Sequence, residues 1–492
     1  MPNAENISPS PTKKASVEEY DIVIIGSGSG GKLIAWTFAS KGQRVAMIER
    51  KYIGGSCPNI ACLPSKNIIH TAQVASYVRR SEEFGIARGS FKLDMSAVRE
   101  RKRKMVSSLI DTHLAAYKDS GAELIMGSGR FIGPRTVEVT LNDGTKRQLL
   151  GTNVVIDTGT HAAIDSTPGL AEAQPLTHVE ALELDEVPEH LLVIGGGYVG
   201  VELAQATRRF GSKVTIIDQN GRLLDREDDD VTEAIGGLFR DEGIELILNA
   251  RIKRVSGLSG QQVKLIAEQN GVEKTIDGTH ILVATGRIPN TKNLGLEAAG
   301  VQVTDRGHVK VNERLEATAP GVWAVGEVAG SPQFTHISED DFHVFHDNVT
   351  GGNHVTTGRL VPFCVFTDPE FARVGLSERE ARTKGIPYRL FKTPMATVLR
   401  ARALVETRGF LKALIATDSD RILGFMNFGV GAGEVMSAVQ IAMMGGLPYI
   451  ALRDAVLAHP THVEGLHMLF ASAPSAPSEV IPRRSSLDGS QA

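Results

Sequence analysis

Cys57 and Cys62 lie five residues apart in Gly54-Gly55-Ser56-Cys57-Pro58-Asn59-Ile60-Ala61-Cys62-Leu63-Pro64-Ser65-Lys66. Two thiols this close can cycle between dithiol and disulfide and so store and release an electron pair. In a regular helix they would stand about 140° apart and about 7.5 Å along the axis, beyond disulfide reach. A redox pair therefore requires a distorted first turn, which Pro58 and Pro64 favour. The other reading is two reduced, partly buried thiols, the ordinary state of cysteine inside a cell. A helix start nearby would favour the thiolate. The third cysteine, Cys364, sits in the apolar run Phe363-Cys364-Val365-Phe366 and is expected to be a buried, inert thiol.

Two glycine-rich turns supply a second kind of chemistry. The apolar run Tyr20 to Ile25 enters Gly26-Ser27-Gly28-Ser29-Gly30-Gly31 and an apolar helix, and the next strand ends at Glu49. The pattern repeats: Leu191 to Ile194 enters Gly195-Gly196-Gly197-Tyr198-Val199-Gly200, a helix follows, and the strand Lys213 to Ile217 ends at Asp218. In both copies the acid stands 18 residues after the last glycine. One such turn is a weak signal, but two in matching context imply two nucleotide cofactors. The glycines (Gly26, Gly28, Gly31; Gly195, Gly197, Gly200) allow close backbone approach, and the helix N-terminus offers N–H groups to a pyrophosphate. Glu49 and Asp218 stand where a carboxylate takes a ribose hydroxyl. Asp218 would repel a 2′-phosphate, so NADH is expected over NADPH, with Arg222 close enough to soften the preference and leave NADPH possible.

Composition narrows the partners. The 492 residues carry a formal net charge of −4 and three cysteines. No broad basic field invites nucleic acid or an acidic membrane, and no apolar run is long enough to span a bilayer. Small-molecule partners and a cytoplasmic location are expected, with any disulfide catalytic rather than structural. Residues 1–19 read as a disordered leader and 472–492, rich in Ser and Pro, as a disordered tail. His343 and His346 could share a helix face as metal ligands, but a solvated face is the simpler reading, and no metal site is expected.

With its trailing Pro64-Ser65-Lys66, the two-cysteine segment resembles the class I pyridine nucleotide-disulfide oxidoreductases, the family of dihydrolipoamide dehydrogenase, glutathione reductase and mercuric reductase. The resemblance extends from Tyr20 to about Ala471. It implies FAD and a nicotinamide cofactor, a redox-active Cys57–Cys62 disulfide with Cys62 facing the flavin, and Cys57 as the thiol that attacks substrate. It places Lys66 beside the flavin and paired with Glu202, and Tyr198 as a gate over the nicotinamide pocket. Ala284-Thr285-Gly286-Arg287-Ile288-Pro289-Asn290 is similar to the motif that ends the nicotinamide domain, and Trp323-Ala324-Val325-Gly326-Glu327-Val328 to the second FAD motif. Gly55, Ser56, Thr158, Gly159, Gly286, Arg287, Gly326 and Glu327 accordingly join the expected cofactor contacts. Two departures stand out: Glu327 where the family usually has Asp, and Asp157 where it has a small residue. Ala458-His459-Pro460-Thr461-His462-Val463-Glu464 resembles the family's catalytic base motif, in which His459 and Glu464 would come from the partner subunit of a homodimer. Alone, His459 would read as an ordinary loop histidine.

The expected fold class is α/β, with two doubly wound dinucleotide-binding domains, for FAD and NAD(P), and a C-terminal α+β dimerisation domain. The expected divisions are 20–160 with 291–355 for FAD, 161–290 for NAD(P), and 361–471 for dimerisation. The implied activity is electron transfer from NAD(P)H through FAD to Cys57–Cys62 and on to a disulfide, metal-thiolate or reactive-oxidant substrate. The wording of the cysteine segment and of Gly326-Glu327-Val328-Ala329-Gly330-Ser331-Pro332-Gln333-Phe334-Thr335-His336 resembles the mercuric-reductase-like branch. Yet the C-terminal cysteine pair of mercuric reductases is missing. Dihydrolipoyl dehydrogenase is the alternative enzyme. A flavin-bound redox sensor or scaffold, and a quinone reductase using flavin alone, are the alternatives of other kinds.

Overall fold

The structure, a computed structural model, describes residues 17–87, 89–472 and 474. These residues form two compact units, one lying within 1–62, 104–161 and 287–357, the other within 63–103, 162–286 and 358–492.

In the first unit, Val17–Ile25 pairs in parallel with Val45–Glu49 on one side and Lys146–Ile156 on the other. Val45–Glu49 continues in parallel to Glu123–Gly133, and Val322–Ala324 adds to Lys146–Ile156. A meander through Thr136–Leu141 links Glu123–Gly133 back to Lys146–Ile156 with antiparallel pairing. The parallel strands are apolar on both faces, as they must be when helices cover them. Ile22, Ile24 and Met47 pack with Phe38 and Phe345 on one side. Val23, Ile25 and Ile48 pack with Phe131 and Val154 on the other. Val17, Glu18 and Glu19 correct the expected leader: they pair with Gln148, Leu149 and Leu150 and begin the first strand. The remainder of the expected leader, and the expected tail beyond Ser472 except Pro474, lie outside the described residues.

The second unit holds a four-stranded parallel sheet in the order His280–Val283, His190–Ile194, Lys213–Ile217, Glu245–Ile247. An antiparallel three-stranded sheet, Ala250–Leu258, Gln262–Gln269 and Val272–Gly278, shares its core through Val255, Val263 and Leu265. A five-stranded antiparallel sheet follows, in the order Phe363–Val365, Glu370–Gly375, Ile422–Gly429, Phe410–Ala416, Tyr388–Pro394. Helices Ala432–Met444 and Gly465–Ala471 pack on it through Val435, Val439, Leu466 and Leu469. Residues 63–103 also belong to this unit, where the sequence placed them with the first domain. Hydrogen-bonded ion pairs hold them there: Lys66 to Glu202, Lys102 to Glu183, Arg99 to Asp185 and Arg80 to Glu406. The pattern of alternating apolar residues could not register these long-range pairs.

One buried charge cluster fixes this unit internally. Lys412, in the strand Phe410–Ala416, is fully buried, and its ammonium donates to Asp228 at 2.8 Å, Asp230 at 2.8 Å and Glu378 at 3.1 Å. Asp228 also accepts the backbone N–H groups of Glu378 and Arg379. A buried lysine is tolerated only when its lost hydration is replaced in this way. Three carboxylates with no cation among them are far less tolerable. Lys412→Met should therefore cost about 3–5 kcal/mol of stability, read as a lower urea midpoint for the second unit, whereas an exposed control such as Lys384→Met should leave the midpoint unchanged.

Candidate active site

The cysteine segment is helical but broken. A single turn, Ser56–Asn59, carries Cys57, and a second helix, Cys62–Arg79, opens with Cys62. Between them Ile60 leaves helical geometry at φ −138°, ψ 2°. The Asn59 side chain pins the break by donating to the carbonyls of Ile53 (2.9 Å) and Gly55 (2.7 Å). The break brings the sulfurs together, and the Cys57 and Cys62 thiols hydrogen-bond each other in the reduced state. That bond, with burial, pushes the Cys57 thiol well above the ordinary thiol range. Thr335, the first residue of the helix Thr335–Val349, places its hydroxyl 3.3 Å from the Cys62 sulfur. Nothing local in the sequence brings residue 335 to residue 62, so the sequence alone does not mark Thr335 as a site residue.

One turn into the second helix, Lys66 donates to Glu202 at 2.7 Å, and the other oxygen of Glu202 accepts the N–H of Phe366 at 2.8 Å. The Lys66 ammonium also lies over the Phe366 ring. Glu202 is buried on the helix Tyr198–Phe210, so the ion pair is positioned from two elements. Cys364 occupies the strand Phe363–Val365, half-buried where a buried thiol is expected, and desolvation raises its thiol well above the usual range.

Both glycine turns have a reason for each glycine. In the second, Gly195 has φ 105° and a Cβ there would lie 2.5 Å from the Ala284 carbonyl oxygen, while a Cβ at Gly200 would lie 2.0 Å from that of Gly195. At Gly197, the N-cap, a Cβ would meet only open space, which is where a phosphate approaching the helix N-terminus needs room. Asp218 accepts the N–H groups of Gly196 (2.5 Å) and Asn220 (2.7 Å), which holds its carboxylate at the turn. Arg222 is engaged by Asp229 and Asp225. Tyr198 stacks on Phe363 with centroids 5.4 Å apart and donates to Glu227, which lies 3.2 Å from Arg373. Burial raises both the Tyr198 phenol and the Glu227 carboxyl. The Glu227–Arg373 support was not legible in the sequence, since its two members are 146 residues apart.

The first turn is more heavily occupied by the protein itself. Glu49 accepts four donors, Ser27 N–H and hydroxyl on one oxygen, and the N–H groups of Lys51 and Tyr52 on the other. Its expected ribose contact would have to share those lone pairs. Gly55 lies so close to Gly28 that a Cβ would be 2.7 Å from the Gly28 Cα, and Ser56 opens the Cys57 turn. Thr158 and Gly159 are tied to Asn290 by three hydrogen bonds. Glu327 is bonded by Thr160 and by Arg287, the latter at 3.1 Å, so Arg287 and Glu327 satisfy each other. Gly286 (φ 145°) precedes Arg287, and Gly326 (φ 70°) donates its N–H to Asp341 at 2.7 Å. Helix Ser29–Ala39 has no side-chain cap at Gly28. The helix start is free of a side-chain cap at Gly28, as a nucleotide pyrophosphate requires, but one carboxylate, Asp157, already takes the Gly31 N–H.

Near the C-terminus, His459 Nδ1 lies 3.0 Å from Glu464, whose second oxygen accepts Thr461 N–H at 2.8 Å. The Thr461 N–H and the histidine hold the Glu464 carboxyl below its usual range. The imidazole is 62% exposed, open to a group beyond this chain. His343 is exposed and His346 contacts Lys41 and Phe38, an arrangement unlike a metal site.

A thiol held protonated is a slow nucleophile. At pH 8 Cys57 in the reduced protein should alkylate at least about tenfold more slowly than free cysteine. Cys62→Ala removes the largest cause and should speed alkylation of Cys57; an unchanged rate, followed by mass spectrometry of the iodoacetamide adduct, would show that the Cys62 contact does not govern it.

Comparison with known proteins agrees with this geometry. Residues 20–341 match the family described as pyridine nucleotide-disulphide oxidoreductase, and residues 361–470 match its dimerisation domain. A probable pyridine nucleotide-disulfide oxidoreductase, RclA, of Escherichia coli K12 is 36% identical over 92% of this chain and 99% of its own length. A mercuric reductase of Staphylococcus aureus is 32% identical over 92% of this chain and 82% of its own. A solved structure of the Escherichia coli protein, a Cu(II) complex described as an HOCl-induced flavoprotein disulfide reductase, superposes with a TM-score of 0.84 at 35% identity, covering 92% of this chain and 99% of that one. Broken helix, paired thiols, two glycine turns and a two-part family match lead to one assignment: the chain belongs to the pyridine nucleotide-disulfide oxidoreductases, FAD-dependent enzymes that act on sulfur groups with a pyridine nucleotide as partner.

Proposed function

We propose that this enzyme uses NADH to reduce a low-molecular-weight disulfide or a thiol-reactive oxidant such as hypothiocyanite, through Cys57 and Cys62, as a two-fold dimer. The observation that carries the reading is the hydrogen-bonded thiol pair at the helix break, with Lys66–Glu202 one turn further on. The description of the Escherichia coli relative as an HOCl-induced disulfide reductase supports the substrate class. Hg(II) is a weaker candidate, because no cysteine follows Cys364 to hand over a metal ion.

Bound at the first glycine turn, FAD would supply the redox chemistry that links a nicotinamide to a disulfide. The chain's residues do the rest. The Cys57–Cys62 disulfide accepts two electrons and two protons to become the dithiol. Cys57, deprotonated, attacks one sulfur of a substrate disulfide; a mixed disulfide forms and the first substrate thiolate leaves. Cys62 then attacks the Cys57 sulfur, the second substrate thiol departs, and the protein disulfide is restored. Because the Cys57 thiol is held protonated, it needs a base. His459, oriented by an ionised Glu464 and exposed in its own chain, serves the Cys57 of a second copy and returns the proton to the leaving thiolate. Exposed Ile441, Met444, Leu447 and Val456 in the dimerisation domain provide apolar surface for that second copy.

At the second glycine turn, Gly197 leaves room for the pyrophosphate and Asp218 takes the ribose hydroxyls. Arg222 is held by two carboxylates instead of waiting for a 2′-phosphate, which favours NADH. Lys66, with its charge partnered by Glu202, would attend the bound flavin, and Tyr198, held by Glu227 and Phe363, would gate the nicotinamide pocket.

NADH oxidation by the purified yellow protein should depend on Cys62 with glutathione disulfide or hypothiocyanite as acceptor. Cys62→Ser should lower kcat at least about 1000-fold. Turnover that survives the substitution would instead establish a reductase using flavin alone, and no turnover with any acceptor would favour a sensor. Asp218→Ala should raise KM for NADH about tenfold, about 1.4 kcal/mol, and narrow the NADH-to-NADPH ratio; an unchanged ratio would remove Asp218 from the specificity assignment.

A further inference from the structure

Asp157 follows the strand Lys146–Ile156 and is buried, at 6% exposure, inside the first glycine turn. Its Oδ2 accepts the N–H of Gly31 at 2.7 Å. A Cβ added at Gly28 or Gly31 would stand 2.6 or 2.7 Å from that carboxylate, and one at Gly326 would stand 3.3 Å from its other oxygen. The acid therefore lies in the space that three glycines leave open. Gly31 is the third residue of the helix Ser29–Ala39, and the second, Gly30, donates its N–H to the Ser338 hydroxyl at 2.9 Å. Two of the N–H groups that a helix start offers to an anion thus have acceptors from the chain, one of them an acid.

The charged groups facing Asp157 are unequal. Asp341 and Glu49 face it with the same sign, and Lys32, which also faces Cys57 and Glu339, faces it with the opposite one. Lys32 is directed at His113 at 3.4 Å, and burial and that lysine hold the imidazole below its usual range, so it adds no charge at neutral pH. No lysine or arginine hydrogen-bonds Asp157 among the described residues. Burial first, then Asp341 and Glu49, raise its carboxyl well above the ordinary carboxylate range.

We propose that Asp157 is a proton-controlled competitor for the flavin pyrophosphate: FAD is retained tightly while Asp157 is neutral and loosened when Asp157 ionises. The inference rests on reading the first turn as the FAD site. A neutral acid leaves the pyrophosphate as the only anion at the helix start, whereas an ionised one adds a second negative charge in a dry site. The sign follows from linkage. An anionic ligand favours the protonated acid, so FAD affinity falls as pH rises through the pKa of Asp157 in the free protein, by at most tenfold per pH unit for one proton.

Apoprotein titrated with FAD between pH 6 and 9, followed by quenching of flavin fluorescence, tests this directly. In the wild type Kd should rise at least about tenfold across the range. In Asp157→Asn, which keeps an acceptor for Gly31, and in Asp157→Ala, Kd should be flat and at pH 9 at least about tenfold lower than in the wild type. Thermal melting of the three apoproteins shows that each is folded. A flat wild-type profile, or a slope retained in Asp157→Asn, overturns the proposal while leaving the FAD site in place. Failure of the wild type to bind FAD at any pH overturns both.

Discussion

Two sulfur atoms five residues apart must come within bonding distance, and an uninterrupted helix forbids it. The break at Ile60 and Ala61 resolves that constraint, and the rest of the active site follows from it. Asn59 secures the break with two hydrogen bonds to backbone carbonyls. Cys62 becomes the first residue of a long helix, and Lys66 falls one turn later on a rigid element, facing Glu202. Cys57 stays on the short turn, half-buried and hydrogen-bonded to Cys62. The Cys62 hydrogen bond and partial burial keep the thiol protonated, so the chemistry needs a base from elsewhere.

The fold handles its buried charges in two ways. Where a cation can be placed, the charges are paired: Lys66 with Glu202, Arg373 with Glu227, and Lys412 with three carboxylates. Most of these join segments distant in sequence within the second unit, so each ties an element into place as well as neutralising an acid. Around the first glycine turn the solution differs. Glu49 is surrounded by backbone and hydroxyl donors, Asp341 takes Gly326 N–H and the Ser331 hydroxyl, and Asp157 takes Gly31 N–H. Three buried acids close together make this turn electrostatically sensitive in a way that the second turn, with Asp218 at its rim, is not.

The glycine turns also show how the same local rule yields different sites. Both are strand, turn and helix with glycine where a Cβ would strike backbone. At the second, the N-cap Gly197 faces open space; at the first, the equivalent Gly28 faces the carboxylate of Asp157. One residue just past the end of a neighbouring strand, not the turn itself, makes that difference.

Strands, helices and motif positions were legible in the sequence because each depends on short-range spacing. The two apolar runs before the glycine turns, the run Lys213–Ile217 and the helix near 434–444 all emerge close to where periodicity places them. The need for a distorted turn between Cys57 and Cys62 also follows from helix geometry alone. What the sequence could not supply is which distant groups meet. Thr335 at Cys62, Arg373 at Glu227, Arg287 on Glu327 and residues 63–103 in the second unit are contacts across many residues. The sequence by itself therefore determined the chemistry available, two thiols and two nucleotide turns, since residue type and local spacing define those. The tertiary structure alone decided the protonation and occupancy of the site, because desolvation and hydrogen bonding depend on neighbours that only folding brings together.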